Sequence, residues 1–437
     1  MENLASTLWI MLGLGVGIPA LFIIGARYTA QRLAGRAGIV SVLATGAPST
    51  PTIRFTSLWQ VLRTLLVAVV LCTGVSIIML RFVYGIGSVT NLGDHFPWGL
   101  WISFDVMSGV ALAAGAFVLA ATVHIFRIER FAPLVRPAIL TGLLGYLLVV
   151  AGLAVDLGKP YNVWRPLVHW QHNTVLWEVG ICVTTYTTVL LIEFLPVILE
   201  PINRIEAIAK RLPTVLLYRI LKQVSIVFVI LGVVLSTLHQ SSLGSLWLLV
   251  PEKLSPLWYS PYLPVFFWLS AVGVGLAMTI VESSLSSRAF KRGLELDLLA
   301  DLARAASVVL LIYLGARGAD IILRGAWPLL LELNLQTVAF WVEMGLGVIV
   351  PATLFAIKPL RHKPAVLFWG ALMVVAFGVV LNRFNVGMIG LLPYTGNIYS
   401  PLWMEVVVSI TLVSFGVIAF GLAAKYLPVF PEESHST

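Results

Sequence analysis

The chain has 437 residues, of which 59% are hydrophobic and 11% charged, and its mean hydropathy is +0.97; such a composition excludes a soluble enzyme domain and specifies a polytopic membrane protein. The formal charge of +8 would suit nucleic acid, but the basic residues sit in short connections between apolar runs, as membrane topology requires, and not on one soluble face. Cys72 and Cys182 both lie inside apolar runs, so neither a disulfide framework nor a four-thiolate cluster site is available, and any iron-sulfur cluster must belong to a partner.

Apolar stretches of about 20 residues, long enough to cross a bilayer, begin near Thr7, Trp59, Gly99, Arg136, Asn173, Val215, Tyr262, Leu298, Gln336, Pro364 and Leu402. The expected fold is therefore all-α, a polytopic transmembrane bundle of eleven helices. The eighth is the least regular, because Asp301 and Arg304 fall in its first turns, close to the spacing of a helical ion pair. The first run lacks a preceding positive region and a small-residue cleavage site, and reads as a retained span rather than a signal peptide. Three regions follow: an N-terminal helix and loop over 1–58, a membrane domain over 59–430, and a polar tail over 431–437.

The 28 Lys and Arg divide 21 to 7 between alternating connections. This bias puts the rich side in the cytoplasm, the N-terminus outside and the C-terminus inside. The outer segments Gly85 to Trp98, Leu157 to His172, Gln240 to Pro261, Arg324 to Leu335 and Phe384 to Pro401 carry Trp, Tyr, Pro and His. Rigid aromatics enrich at the centres of protein interfaces, so these segments read as a docking surface, with an ordinary aromatic belt as the plainer alternative.

Given that topology, Asp105, Asp156, Glu178, His239, Glu343 and Glu405 lie toward the outer face, Tyr146 near mid-membrane, and Glu193, Glu282, Asp297 and Asp301 toward the cytoplasm. The stretch Asp94-His95-Phe96-Pro97-Trp98-Gly99-Leu100-Trp101-Ile102-Ser103-Phe104-Asp105 combines an interfacial Pro-Trp-Gly entry with a carboxylate one to two turns inside. A charged carboxylate at the depth of Asp105 or Glu178 costs about 2.5 to 3.5 kcal/mol on insertion scales, and a group that gains and loses a proton suits proton transfer. Asp156 either pairs with Lys159 or caps its loop, and Glu193 and Asp297 read as helix-end carboxylates that reach the interface. Trp177-Glu178, Trp341-Val342-Glu343 and Trp403-Met404-Glu405 form a weak internal repeat. His239 lies in an unusually polar helix exit, Ser236-Thr237-Leu238-His239-Gln240-Ser241-Ser242-Leu243-Gly244-Ser245, suited to a hydrogen bond to a carbonyl ligand, to which Tyr146 could add another.

A b-type haem would need two histidines at one depth on facing helices; His124 exits on the cytoplasmic side and His239 near the outer one, so these two cannot share an iron, and His169 and His172 lie outside the apolar helices. Phosphate-cradling glycine loops, helical zinc pairs and nucleophile motifs are lacking in the sequence.

Phe96-Pro97-Trp98-Gly99-Leu100-Trp101 with Asp105, Leu134-Val135-Arg136-Pro137-Ala138, Leu238-His239-Gln240-Ser241-Ser242-Leu243-Gly244-Ser245 and Phe340-Trp341-Val342-Glu343 together resemble the NrfD/polysulfide reductase membrane-subunit family. The similarity runs from about Trp59 to Phe430 and is greatest to the HybB-like branch, the membrane subunits of hydrogenase-2-type complexes; the run from Thr7 to Ala26 is additional to that branch's ten helices. The resemblance implies a subunit without haem or metal that binds a quinone near the outer face and exchanges electrons with a periplasmic ferredoxin-like iron-sulfur protein. It also implies proton-transfer roles for Tyr146, Glu178, His239 and Glu282. The expected quinone pocket is formed by Trp98, Asp105, Tyr146 and His239 and takes menaquinone or ubiquinone. The catalytic partner would be a hydrogenase, a molybdenum enzyme or a multihaem cytochrome, in a bacterial or archaeal cytoplasmic membrane. Two other classes remain open: a secondary transporter, which would also gather polar groups at the midplane, and a purely structural anchor of a redox complex.

Overall fold

The computed structural model describes residues 58–96, 98–205 and 213–430. Ten helices in them are long and apolar enough to cross a membrane: α1 (Leu58–Tyr84), α2 (Ile102–Ile125), α3 (Ala132–Asp156), α4 (Val175–Ile202), α5 (Thr214–Ser245), α6 (Leu263–Phe290), α7 (Leu296–Leu323), α8 (Leu335–Ala356), α9 (Pro364–Thr395) and α10 (Trp403–Tyr426). The chain is a multi-pass integral membrane protein. No β-strand occurs among the described residues, only an isolated bridge from Gly93 to Phe96, because backbone crossing lipid must satisfy its own hydrogen bonds. The expected first helix, from Thr7 to Ala26, and the polar tail lie outside the described residues.

Helices α2 to α5 pack as one group and α6 to α9 as a second, with α2 and α5 both against α6 between them; α10 lies against α1 and α3. The contact between α2 and α6 is made by small residues: a methyl on Gly275 would lie 2.8 Å from Gly115 N. Between α8 and α9 a methyl on Gly347 would lie 2.2 Å from Gly378 N. Close backbone approach of this kind drives helix association where lipid removes the hydrophobic incentive. α2 and α6 are the most enclosed helices, whereas α1 and α5 show much of their apolar surface to lipid.

Several helices are not regular. α2 contains π-helical turns over Ile102–Ser108 and Ala121–Ile125, α8 one over Gly345–Ile349 and α9 one over Val374–Val380. π-turns concentrate at functional sites because the inserted residue re-aims neighbouring side chains. Asp105 sits inside the first of them.

Two sequence expectations change here. Asp301 does not pair with Arg304 but with Arg130 of the α2–α3 connection, since a partner on a neighbouring element is in reach once the helices pack. The segment from Gln240 to Pro261 is not a free outer loop: α5 continues to Ser245, a 3-10 turn follows over Leu246–Leu249, and Leu254, Ser255, Leu257, Trp258 and Ser260 are buried. The segment from Leu157 to His172 does stay open, with Tyr161, Trp164 and Trp170 exposed.

Candidate functional site

Four buried polar assemblies occupy the bundle. In the first, α3 and α5 bring Tyr146 and His239 together, the phenol oxygen 3.0 Å from His239 Nδ1. Both residues are fully buried. The Tyr186 ring of α4 packs edge-on against Tyr146 with centroids 4.5 Å apart, and Ser236 lies beside both phenols. One turn above His239, Ser242 Oγ donates to Glu178 Oε1 across 2.5 Å while also lying 2.7 Å from the Leu238 carbonyl. A hydroxyl has one proton for these two acceptors, so Ser242 can serve only one of them at a time. Gln240 Nε2 is tied to the Val110 carbonyl of α2 at 2.9 Å.

This assembly is polar but incompletely satisfied. His239 Nε2, Gln240 Oε1, Ser236 Oγ and Tyr186 Oη have no hydrogen-bond partner among the described residues. Buried polar atoms are normally paired, and each exception calls for an explanation. If the Tyr146 hydroxyl donates to Nδ1, the neutral imidazole carries its proton on Nε2, and that N–H is a buried donor without an acceptor among the described residues.

A second assembly lies toward the end of the bundle where α1 and α3 finish and α10 starts. Ser409 Oγ of α10 donates to Asp105 Oδ2 at 2.6 Å. Arg81 of α1 donates to the carbonyls of Val155 and Leu157, on either side of Asp156, so Arg81 rather than Lys159 is the cation at that carboxylate. Glu405 accepts from the Tyr399 hydroxyl at 2.8 Å and from Asn91 N at 3.2 Å. Burial, then the Glu405 charge, pushes the Tyr399 phenol well above its usual value, so it stays a donor.

The structure therefore divides the expected pocket. Tyr146, His239 and Glu178 come together, whereas the Asp105 hydrogen bond goes to α10. Trp98 packs on Trp247, just beyond α5, with centroids 4.8 Å apart, while the Trp101 indole donates to the Glu405 carbonyl. The physical reason is helical phase. Trp101 and Asp105 are four residues apart and share the face toward α10, whereas Trp98 precedes the helix.

Glu282 of α6 forms a third feature. It is 4% exposed and accepts from Thr141 Oγ1 of α3 at 2.7 Å. Thr141 lies five positions before Tyr146 on the same helix, so Glu282 meets α3 about 7.5 Å below the Tyr146 level.

The fourth assembly, between α6 and α9, escaped the sequence reading apart from Glu343. That carboxylate accepts from Trp258 Nε1 (3.0 Å), Asn382 Nδ2 (2.8 Å) and Asn385 Nδ2 (2.7 Å). Arg383, 1% exposed, donates to Asn382 Oδ1 and Ser270 Oγ and lies over the Phe267 ring. Arg317 and Asp320 hold the buried segment through the Leu257 carbonyl and the Ser260 hydroxyl. The sequence signal was the run Asn382-Arg383-Phe384-Asn385, three polar residues in an apolar helix.

The family model described as "Polysulphide reductase, NrfD" matches residues 88–393, which include all four assemblies except Arg81, Tyr399 and the α10 residues. The chain belongs to the NrfD family. It is 38% identical over 382 residues to a protein of Nitratidesulfovibrio vulgaris, covering 84% of this chain and 94% of that one. It is 33% identical over 360 residues to the "Probable Ni/Fe-hydrogenase 2 b-type cytochrome subunit" of Escherichia coli, covering 81% and 89%. The "Menaquinone reductase, integral membrane subunit" of Nitratidesulfovibrio vulgaris is 30% identical over 387 residues, covering 80% and 87%. Relatives in the NrfD family are thus membrane subunits of redox complexes.

The cytochrome name of the second relative invites a test of haem. Among the described histidines only His239 is buried; His95, His124, His169 and His172 are exposed and His362 is half-buried and bonded to the Lys358 carbonyl. These residues do not supply a second axial histidine opposite His239, and no group of three or more His, Cys, Asp or Glu among the described residues is arranged to hold a metal ion.

Proposed function

We propose that this chain is the quinone-reactive membrane subunit of a redox complex, passing electrons between an iron-sulfur partner on the outer face and the membrane quinone pool. The observation that carries the reading is the buried Tyr146–His239 pair with its unpartnered Nε2. A quinone carbonyl is an acceptor without a proton of its own, and complements an N–H that has lost water and found no protein partner. Tyr146 fixes the tautomer. When the quinone oxygen gains electron density on reduction, the Nε2 proton moves to it, and Tyr146 replaces the ring proton through Nδ1.

Protons then reach the pair through Glu178 at the outer end, by way of Ser242, and through Glu282 at the cytoplasmic end, by way of Thr141. Electrons arriving from outside and protons taken from inside through Glu282 would build a membrane potential, whereas protons taken through Glu178 would not. Trp98, packed on Trp247, forms the rim of the pocket. Asp105, bonded to α10, shapes this end of the bundle from the neighbouring assembly. The exposed aromatic segment from Leu157 to His172 is the best candidate for partner contact, because it is joined to the Glu178 end: Trp177 Nε1 donates to the Pro166 carbonyl at 2.8 Å.

The reading is tested by purifying the tagged chain from membranes and measuring turnover with a soluble quinone analogue. Copurification of an iron-sulfur subunit, and loss of quinone-linked turnover in His239→Ala with the complex still assembled, are the expected results. An isolated chain that binds a transport substrate, or unchanged turnover in His239→Ala, would overturn it.

A further inference from the structure

The seam between α4 and α5 carries polar residues well below the Tyr146–His239 pair. On α4, Glu178, Cys182, Tyr186, Val189 and Glu193 follow at steps of four, four, three and four, which is one face of a helix. On α5, Ser242, His239, Ser236 and Gly232 face them in antiparallel order. Glu178 and Glu193 are fifteen positions apart, about 22 Å at the helical rise, so this one seam joins a carboxylate at the outer end to another toward the cytoplasmic end.

Glu193 is half-buried and stands nine positions before the end of α4. Its Oε1 is buried and has no hydrogen-bond partner, and no ion pair involves it among the described residues. The charged rim begins further on, where Glu200 pairs with Arg136 and Arg204. Gly232 supplies the space beside it: a methyl there would lie 3.3 Å from Glu193 Oε1, 3.5 Å from Val189 Cγ1 and 3.6 Å from Tyr186 Cε2. The carboxylate and the Tyr186 ring are therefore within about 7 Å of each other, a span that one or two waters would be enough to bridge. Above, Tyr186 touches Tyr146, Ser236 lies beside both phenols, and Tyr186 Oη and Ser236 Oγ are unpartnered as well.

We propose that Glu193 is a proton-relay residue, the cytoplasmic-side start of a path through Tyr186 and Ser236 to Tyr146 and His239 that is separate from Glu282. The proposal rests on the reading of the Tyr146–His239 pair as the place where protons meet the quinone. In quinone reduction the iron-sulfur partner supplies two electrons and the protein two protons. A proton entering at Glu193 displaces one onward through water to Tyr186, and each hydroxyl accepts one proton as it releases its own. His239 gives its Nε2 proton to the quinone oxygen and takes one from Tyr146 at Nδ1, which leaves the ring as its Nδ1–H tautomer; that proton must pass back to Nε2 before the second transfer, while each hydroxyl upstream is restored by the proton that follows. Quinol oxidation runs the same transfers in reverse. The seam reaches Tyr146 between α4 and α5, whereas the Glu282–Thr141 contact reaches α3 from α6, which itself packs on α5.

The test uses the intact complex in membranes, with a soluble quinone analogue. In Glu193→Gln, kcat for quinone-linked turnover should fall at least about tenfold while KM for the quinone stays within about twofold, because the residue does not touch the headgroup. Glu193→Asp should restore most of the loss, which a merely structural role would not explain, and Tyr186→Phe should behave like Glu193→Gln. Turnover in Glu193→Gln equal to wild type between about pH 6 and pH 8, in a preparation where His239→Ala is inactive, overturns the relay alone. Full turnover in both variants overturns the quinone-site reading and the relay with it. Should Glu193→Gln not assemble, full turnover in both Glu193→Asp and Tyr186→Phe overturns the relay, and a fall in kcat for Tyr186→Phe at constant KM supports it.

Discussion

Tyr146 and His239 are separated by 93 positions in the chain and by 3.0 Å in the bundle, with the phenol of α3 on the Nδ1 of α5 and both side chains sealed from solvent. Because the two act as a unit, their removal should be strongly non-additive. Tyr146→Phe is expected to lower quinone-linked turnover on the order of 10²-fold, and adding His239→Ala should cost little more. Steady-state kinetics of the two single variants and the double variant check this; simple multiplication of the effects would show that the residues work independently.

Glu282 and Thr141 offer a second separation of roles. Glu282→Gln keeps a hydrogen-bonding group opposite Thr141 but cannot carry a proton, so turnover should drop at least about tenfold with assembly intact. Thr141→Val removes the donor and leaves the carboxyl, and should cost only a few-fold. Glu178→Gln is expected to resemble Glu282→Gln. Unchanged rates in both glutamine variants would remove the proton path from the proposal.

The bond from Ser409 to Asp105 predicts an effect on stability rather than on quinone affinity. Ser409→Ala leaves a buried carboxyl oxygen without its donor, at a cost of about 1 to 3 kcal/mol, and should lower the thermal midpoint of the detergent-solubilised complex. KM for the quinone should not change. A raised KM with an unchanged midpoint would place Asp105 against the headgroup after all.

Two glycines on α6 test the packing between the halves. Gly275→Ala would press a methyl to 2.8 Å from Gly115 N, while at Gly273 the nearest atom is Leu310 Cδ2 at 3.5 Å. Overpacking of the first kind costs about 1 to 3 kcal/mol, so Gly275→Ala should reduce the yield of folded protein and Gly273→Ala should not. Size-exclusion profiles of the solubilised variants read the difference.

What the sequence determined by itself is the set of spanning helices. Ten of its eleven expected starts fall within a few residues of α1 to α10, because a segment of that length and apolarity cannot satisfy its backbone in lipid any other way. The polar residues of the exit around His239, and Tyr146 as its companion, were also legible, since polar groups in apolar helices are few. Rotation and pairing of the helices were not. A helix that is apolar on every side carries no periodic signal of which face meets which neighbour, so Asp105 could not be assigned to α10 rather than to His239. Nor could Glu193 be separated from an ordinary helix-end carboxylate, or Asn382 and Asn385 be placed on Glu343. Only the packing decided those contacts, through close glycine approaches and π-turns that shift helical phase by a residue and so turn a side chain from one partner to another.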